Sequence, residues 1–211
     1  MTTNLNLIMG IDEAGRGPVI GPMVVAGVIF PKHSNEFLRE YGIKDSKQLS
    51  SEAREEMFNL IEEEATWYKI AVIWPDTIDA YVSMNGLNHL ECDVMAELID
   101  SFARKKTVYI DSPLDPVFFK EMLSKRLKTE NEIKCSFKAD TIYPVVSAAS
   151  ILAKVTRDRI IEELKQEYGD FGSGYPADEK TRIFLSSLVD TPYFIRKTWK
   201  LSRDDLQGSL F

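Results

Sequence analysis

Histidine, cysteine, long apolar runs and positive charge are all scarce in this 211-residue chain, and each shortage excludes something. The two histidines, His33 and His89, are too few for a multi-histidine zinc site and argue against a histidine-based hydrolytic triad. The two cysteines, Cys92 and Cys135, lie far apart with no metal-ligand spacing, and read as buried thiols rather than a disulfide. No apolar run approaches the roughly 20 residues that span a bilayer. The opening Met1–Asn6 is polar and uncharged and shows no signal peptide, so the expected location is the cytoplasm. Lysine and arginine number 26 against 33 acids, for a net charge of −7. That balance argues against a uniformly basic nucleic-acid surface, unless the acids are gathered to hold cations.

What is present is an ordinary globular mix, 44% hydrophobic and 28% charged, enough for one domain with a real core. Leu7–Ile11 and Met23–Phe30 read as neighbouring strands around a Gly/Pro-rich loop, and Tyr68–Trp74 as a third. Ser50 or Ser51 caps a charged helix, and Leu87, Leu90, Val94, Leu98, Ile99 and Phe102 recur at helical spacing. Thr107–Ile110 is a strand that stops at Asp111, Pro116 begins a helix, and Ile133–Phe137 is the last strand. A long helix from Val145 to Tyr168 ends at Gly169. It carries an apolar face (Ala148, Ile151, Leu152, Val155) and a separate polar stripe of Ser147, Ser150, Lys154 and Arg157. A Gly-rich loop, Phe171–Pro176, and a shorter helix, Asp178–Val189, follow. This order predicts an α/β fold, a mixed sheet flanked by helices, with no internal repeat.

Three predicted strand ends each deliver an acid. Gly10-Ile11-Asp12-Glu13 runs into a loop of two glycines flanking an arginine, Gly15-Arg16-Gly17. Consecutive strand residues face opposite sides, so Asp12 and Glu13 serve one site only if the strand ends or bends between them. Asp111 ends another strand, and Asp140 follows the last one. Any one of these acids reads equally well as a turn or a solvated strand end. Together they resemble the strand-end sites of α/β sheets. Clustered carboxylates without imidazole or thiolate require cations and favour Mg²⁺ or Mn²⁺ over zinc. Two such ions about 4 Å apart activate a water and stabilise the departing oxygen in phosphodiester hydrolysis.

The blocks Asp12-Glu13-Ala14-Gly15-Arg16-Gly17-Pro18, Asp45-Ser46-Lys47-Gln48-Leu49, Asp111, and Lys138-Ala139-Asp140 followed by Ser147–Lys154 resemble, in order, those of the ribonuclease HII family. Tyr143-Pro144-Val145-Val146 and Gly174-Tyr175-Pro176 look closest to its archaeal and eukaryotic branch. The resemblance implies a ribonuclease H-like fold over residues 1–170, with residues 171–211 as a helical segment and tail packed on the same domain. It implies a site of four acids, Asp12, Glu13, Asp111 and Asp140, holding two Mg²⁺ or Mn²⁺ ions. The substrate would be an RNA–DNA hybrid or duplex DNA with embedded ribonucleotides, cut to leave 5′-phosphate and 3′-hydroxyl ends. Gly15, Arg16 and Gly17 would approach the ribonucleotide, where the 2′-hydroxyl separates RNA from DNA. Tyr175 would meet the neighbouring deoxyribose, and a monomer is implied.

Lys47, Ser150 and Lys154 are candidate phosphate contacts, as is the basic group Arg196, Lys197, Lys200 and Arg203. The tail ends in Gln207-Gly208-Ser209-Leu210-Phe211 and resembles short peptides that dock on sliding clamps, through Gln207, Leu210 and Phe211. Other readings are the related ribonuclease HIII, disfavoured because the catalytic strand begins by residue 7, a catalytically silent hybrid-binding module, and a Mg²⁺-dependent phosphatase.

Overall fold

The computed structural model describes residues 6–41, 43, 50–84 and 86–199. Five strands form one sheet: β1 (Leu7–Ala14), β2 (Met23–Pro31), β3 (Trp67–Ile73), β4 (Thr107–Asp111) and β5 (Glu132–Ser136). Their order across the sheet is β3-β2-β1-β4-β5. Pairing is antiparallel between β1 and β2 and between β2 and β3, then parallel from β1 to β4 to β5. The helices are α1 (Asn35–Glu40), α2 (Ser51–Glu64), α3 (Pro75–Met84), α4 (Leu87–Asp100), α5 (Pro116–Ser124), α6 (Ala139–Ile142), α7 (Pro144–Tyr168) and α8 (Glu179–Ser187). The mixed sheet with helices on both faces is the architecture expected. Of these helices, α1, α3 and α6 were not anticipated; α1 and α6 are too short for a periodic signal, whereas Pro75-Asp76 at the start of α3 is a helix-start signal that went unread.

Alternation along the central strand decides which side chain meets which helix. Leu7, Met9 and Ile11 pack with residues of α3, α4 and α5, whereas Ile8 faces the opposite layer of α1, α2 and α7. Gly10 lies on that second face, and a Cβ there would sit 2.0 Å from the Val145 carbonyl oxygen. The missing side chain therefore lets the start of α7 lie directly against β1. Pro144 opens that helix, where a lost N–H costs nothing, and Ala148, Ala149 and Ala153 are fully buried along it. Ser50 is the residue that caps α2, accepting from the Ala53 N–H at 3.2 Å, and Asp115 caps α5.

A third apolar cluster joins the C-terminal part to the body. Phe171, Phe194 and Ile195 pack on Val19, Ile20, Ile161 and Leu164. Hydrogen bonds braid the same regions. Gly174 O accepts from Val19 N and Ile20 N at 2.8 and 3.2 Å, Gly21 N donates to Phe194 O, and Arg196 N donates to Val19 O. Among the described residues no helix is long and apolar enough to cross a membrane.

Candidate active site

Register brings the first two acids together. β1 and β4 run parallel with Ile11 opposite Ile110, so the next residue on each strand, Asp12 and Asp111, shares one level and one face. The third acid needs a turn. Lys138 adopts a left-handed conformation, φ 54°, between β5 and α6, and α6 begins with Ala139-Asp140. Asp111 Oδ1 accepts from the Ala139 N–H at 3.0 Å, which locks this turn to the end of β4. Carboxylate oxygens of Asp12, Asp111 and Asp140 lie within 4.8 Å of one another. Asp12 and Asp140 are buried, and Asp111 is partly exposed.

Glu13 lies outside that cluster, because the strand neither ends nor bends after Asp12. β1 continues through Ala14, paired with β2 as Asp12–Ala26 and Glu13–Val25. Alternation therefore sends Glu13 to the side of α4, where the buried Glu91 sits, while Asp12 turns toward α7. Burial, with the neighbouring charges of Asp12, Glu91 and Asp111, raises the Glu13 pKa well above the usual carboxylate range. Its Oε2 is buried with no hydrogen-bond partner. Asp12 is pushed up to about 7, chiefly by burial, with the Ser150 hydroxyl bond opposing and Asp111 reinforcing the rise. A pocket that holds carboxylates so reluctantly ionised fits a hard divalent cation, whose charge would restore them to the anionic form. Oxygen is the only donor type in the cluster, which suits Mg²⁺ or Mn²⁺.

Beside the acids runs a cleft of about 570 Å³, lined among others by Glu13, Gly15, Arg16, Gly17, Lys154 and Tyr175. The Tyr175 ring, 47% exposed, stands where a Cβ on Gly17 would meet it at 3.2 Å. Gly15 has φ +79°, and a Cβ there would be 2.2 Å from Arg157 Nε, so both backbone conformation and space require glycine. Arg16 turns its side chain aside: Nε meets Glu91 Oε1 and Nη2 meets Asn88 Oδ1, both at 2.6 Å. This leaves the backbone of the triplet to face the cleft. Burial nevertheless keeps the Glu91 pKa raised, outweighing the ion pair with Arg16.

Several expected phosphate contacts are placed otherwise. The helix stripe is not a solvated face: Ser147 and Ser150 are fully buried, and Arg157 is nearly so. Ser150 hydrogen-bonds the Asp12 carboxylate, so it serves the acid cluster, while Lys154 and the largely buried Arg157 border the cleft. Arg196 is buried beneath the loop of residues 15–22, bonded to its carbonyls, and is not an exposed cation. Lys197 is exposed, while Lys47, Lys200, Arg203 and the tail Gln207, Leu210 and Phe211 lie outside the described residues. The sequence reading passed over Glu91 and Asn88. Glu91 falls four residues after Leu87 on the apolar face of α4, and a charge at a core-facing position was the available signal.

A sequence model of the family described as ribonuclease HII matches residues 9–202. The chain belongs to the ribonuclease HII family. Members are metal-dependent endoribonucleases that act on RNA–DNA hybrids. Over 200 residues it is 47% identical to ribonuclease HII of Thermococcus kodakarensis, covering 92% of this chain and 86% of that one. The crystal structure of ribonuclease H2 from Pyrococcus horikoshii OT3 matches with a TM-score of 0.88 at 40% identity, over 95% of this chain and 97% of that one. A structure of the PCNA:ribonuclease HII complex from Archaeoglobus fulgidus contains a match with a TM-score of 0.85 at 37% identity, over 96% of this chain and 98% of that one.

Proposed function

We propose that this chain, besides cleaving the RNA strand of hybrids, incises duplex DNA on the 5′ side of a single embedded ribonucleotide, leaving 5′-phosphate and 3′-hydroxyl ends. The observation that supports this most is the meeting of Asp12, Asp111 and Asp140 within 4.8 Å beside a cleft shared by Gly15–Gly17 and Tyr175. Asp12, Asp111 and Asp140 would hold divalent metal; Glu13, though turned to the α4 side of β1, lines the same cleft near Asp12 and Asp111 and would complete a second ion site from there. When bound, such ions supply the water activation and leaving-oxygen stabilisation of two-metal phosphodiester hydrolysis.

The remaining roles belong to the chain itself. Ser150 orients the Asp12 carboxylate and favours its ionised form. Lys154 attracts a phosphate toward the acid cluster from the cleft wall. The Gly15–Gly17 backbone, free of side-chain bulk at its glycines, reaches the 2′-hydroxyl. Tyr175 packs on the adjoining sugar, and its contact with Gly17 couples that sugar's position to the ribose.

The test is cleavage of duplex DNA carrying one internal ribonucleotide, beside an all-DNA duplex, with Mg²⁺, Mn²⁺ or chelator. A single metal-dependent cut 5′ of the ribonucleotide is expected, and Asp111→Asn should abolish it while leaving the fold intact. Tight binding without any cut would favour the silent binding module instead. The tail Gln207–Phe211 is further proposed to dock on a sliding clamp, with the match to the Archaeoglobus fulgidus protein in its PCNA complex in support. Deleting residues 207–211 should lower clamp affinity at least tenfold; unchanged affinity would refute it.

A further inference from the structure

Arg157 and Arg196 are cations in an unexpected place. They are 8% and 1% exposed, and among the described residues neither forms a salt bridge. Both instead grip main-chain carbonyls of one loop. Arg157 Nε donates to Pro22 O and its Nη2 to Ile20 O, each at 3.2 Å. Arg196 Nη1 donates to Arg16 O at 2.8 Å, Nη2 to Gly15 O at 2.5 Å, and Nε to Gly21 O at 3.2 Å. Trp199 lies under the Arg196 guanidinium, 4.7 Å from ring to Cζ, and its own Nε1 donates to Gly17 O at 3.0 Å. The segment carrying these groups is itself anchored, because Asp79 accepts from the N–H groups of Lys197 and Thr198 at 2.8 and 3.1 Å.

All three carbonyls of Gly15-Arg16-Gly17 are thus drawn toward the body of the protein. Holding the carbonyls on one side fixes the orientation of the peptide planes, and with it what the opposite edge presents to the cleft. Burying two like charges side by side is a poor way to gain stability, since an apolar plug of equal volume serves as well or better. An arginine earns its place where separate donors must reach separate acceptors in fixed directions. We infer that Arg196, aided by Trp199 and Arg157, is a positioning residue for ribose recognition, setting the Gly15–Gly17 backbone in the pose that distinguishes ribose from deoxyribose. The inference rests on the proposed reading of this triplet as the ribose contact.

The experiment measures binding in an Asp111→Asn background with Mg²⁺, comparing duplex DNA containing one ribonucleotide with the all-DNA duplex. The affinity ratio is the ribose discrimination. Arg196→Gln should lower this ratio at least tenfold while all-DNA affinity stays within threefold, and Arg196→Lys should recover only part of it. Trp199→Phe keeps an aromatic ring beside the guanidinium but deletes the Nε1 donor, so it should lower the ratio two- to fivefold. Thermal melts identify the folded variants. A folded Trp199→Phe and Arg196→Lys that both keep the parent ratio would overturn the inference, leaving the cations a structural contact. Gly17→Ala is the control for the underlying reading. If it collapses the ratio and the Arg196 and Trp199 variants do not, the positioning idea fails alone. If the parent shows no discrimination, or Gly17→Ala leaves it unchanged, the ribose-contact reading fails and the inference falls with it.

Discussion

Asp12 and Asp111 owe their meeting to strand register, whereas the loop of residues 15–22 owes its shape to side chains arriving from residues 157 and 196–199. The first region is a consequence of two parallel strands paired at Ile11 and Ile110, and the acids simply continue that pairing. Local backbone geometry does nearly all the work, helped by one left-handed residue, Lys138, that brings in Asp140. The second region has almost no regular structure to impose a conformation. Its carbonyls are instead held by guanidinium groups from elsewhere in the chain. The two regions also carry opposite charge. Buried carboxylates on one side call for a cation, and buried arginines on the other carry their own. Burial lowers the Arg196 pKa to about 9, reinforced by Arg157, which still leaves it cationic at neutral pH.

The sheet side of this contrast breaks most severely at Gly10. Its replacement by alanine drives a methyl into the Val145 backbone, which has no side-chain freedom to yield. Gly10→Ala should destabilise the protein by about 3 kcal/mol or more, lowering Tm by roughly 6–12 °C. It should also depress cleavage by moving Ser150 off Asp12, and calorimetry with a cleavage assay reads both effects.

A smaller effect belongs to the charge of the acid cluster without metal. Asp12 holds its proton more tightly folded, at about 7, than unfolded, near 3.8. Stability in chelator should therefore fall as pH rises from about 4 to 7 and level off above, with Glu13 acting in the same direction. Asp12→Asn should flatten the curve and raise the metal-free stability at pH 8 by roughly 1–3 kcal/mol. Melts across that pH range check the sign, and a metal-free protein that gains stability toward pH 7 would contradict it.

The smallest effect sharpens the comparison by showing where charge does little. Arg159 pairs with Glu55 at the surface, with side chains 45% and 41% exposed. Glu55→Gln should change stability by less than about 1 kcal/mol and leave cleavage unaltered. A loss as large as that of Gly10→Ala would mean that exposed pairs, too, help to hold the cleft.

Legibility in the sequence followed the range of the interactions involved. Alternating apolar residues, capping Ser50, Pro116 and Gly169 revealed the major elements, since these signals act over a few residues. Asp111 and Asp140 were readable because one closes a strand and the other follows one, and Asp12 because it lies two residues from the end of β1; strand ends recur on one edge of an α/β sheet. Glu13 was harder: its face depends on whether β1 stops at Asp12, and only pairing with β2 carried the strand to Ala14. The helix stripe was correctly placed on α7, yet periodicity says which residues share a face and not what that face meets. By itself the sequence determined the α/β class and the family, because local propensity, hydrophobic period and ordered motifs encode them directly. Only the tertiary structure decided that Arg157 and Arg196 are buried against the glycine loop and that Arg16 turns toward Glu91. Those contacts join residues about 75 to 180 positions apart, and nothing in the neighbouring sequence distinguishes a buried arginine from a solvated one.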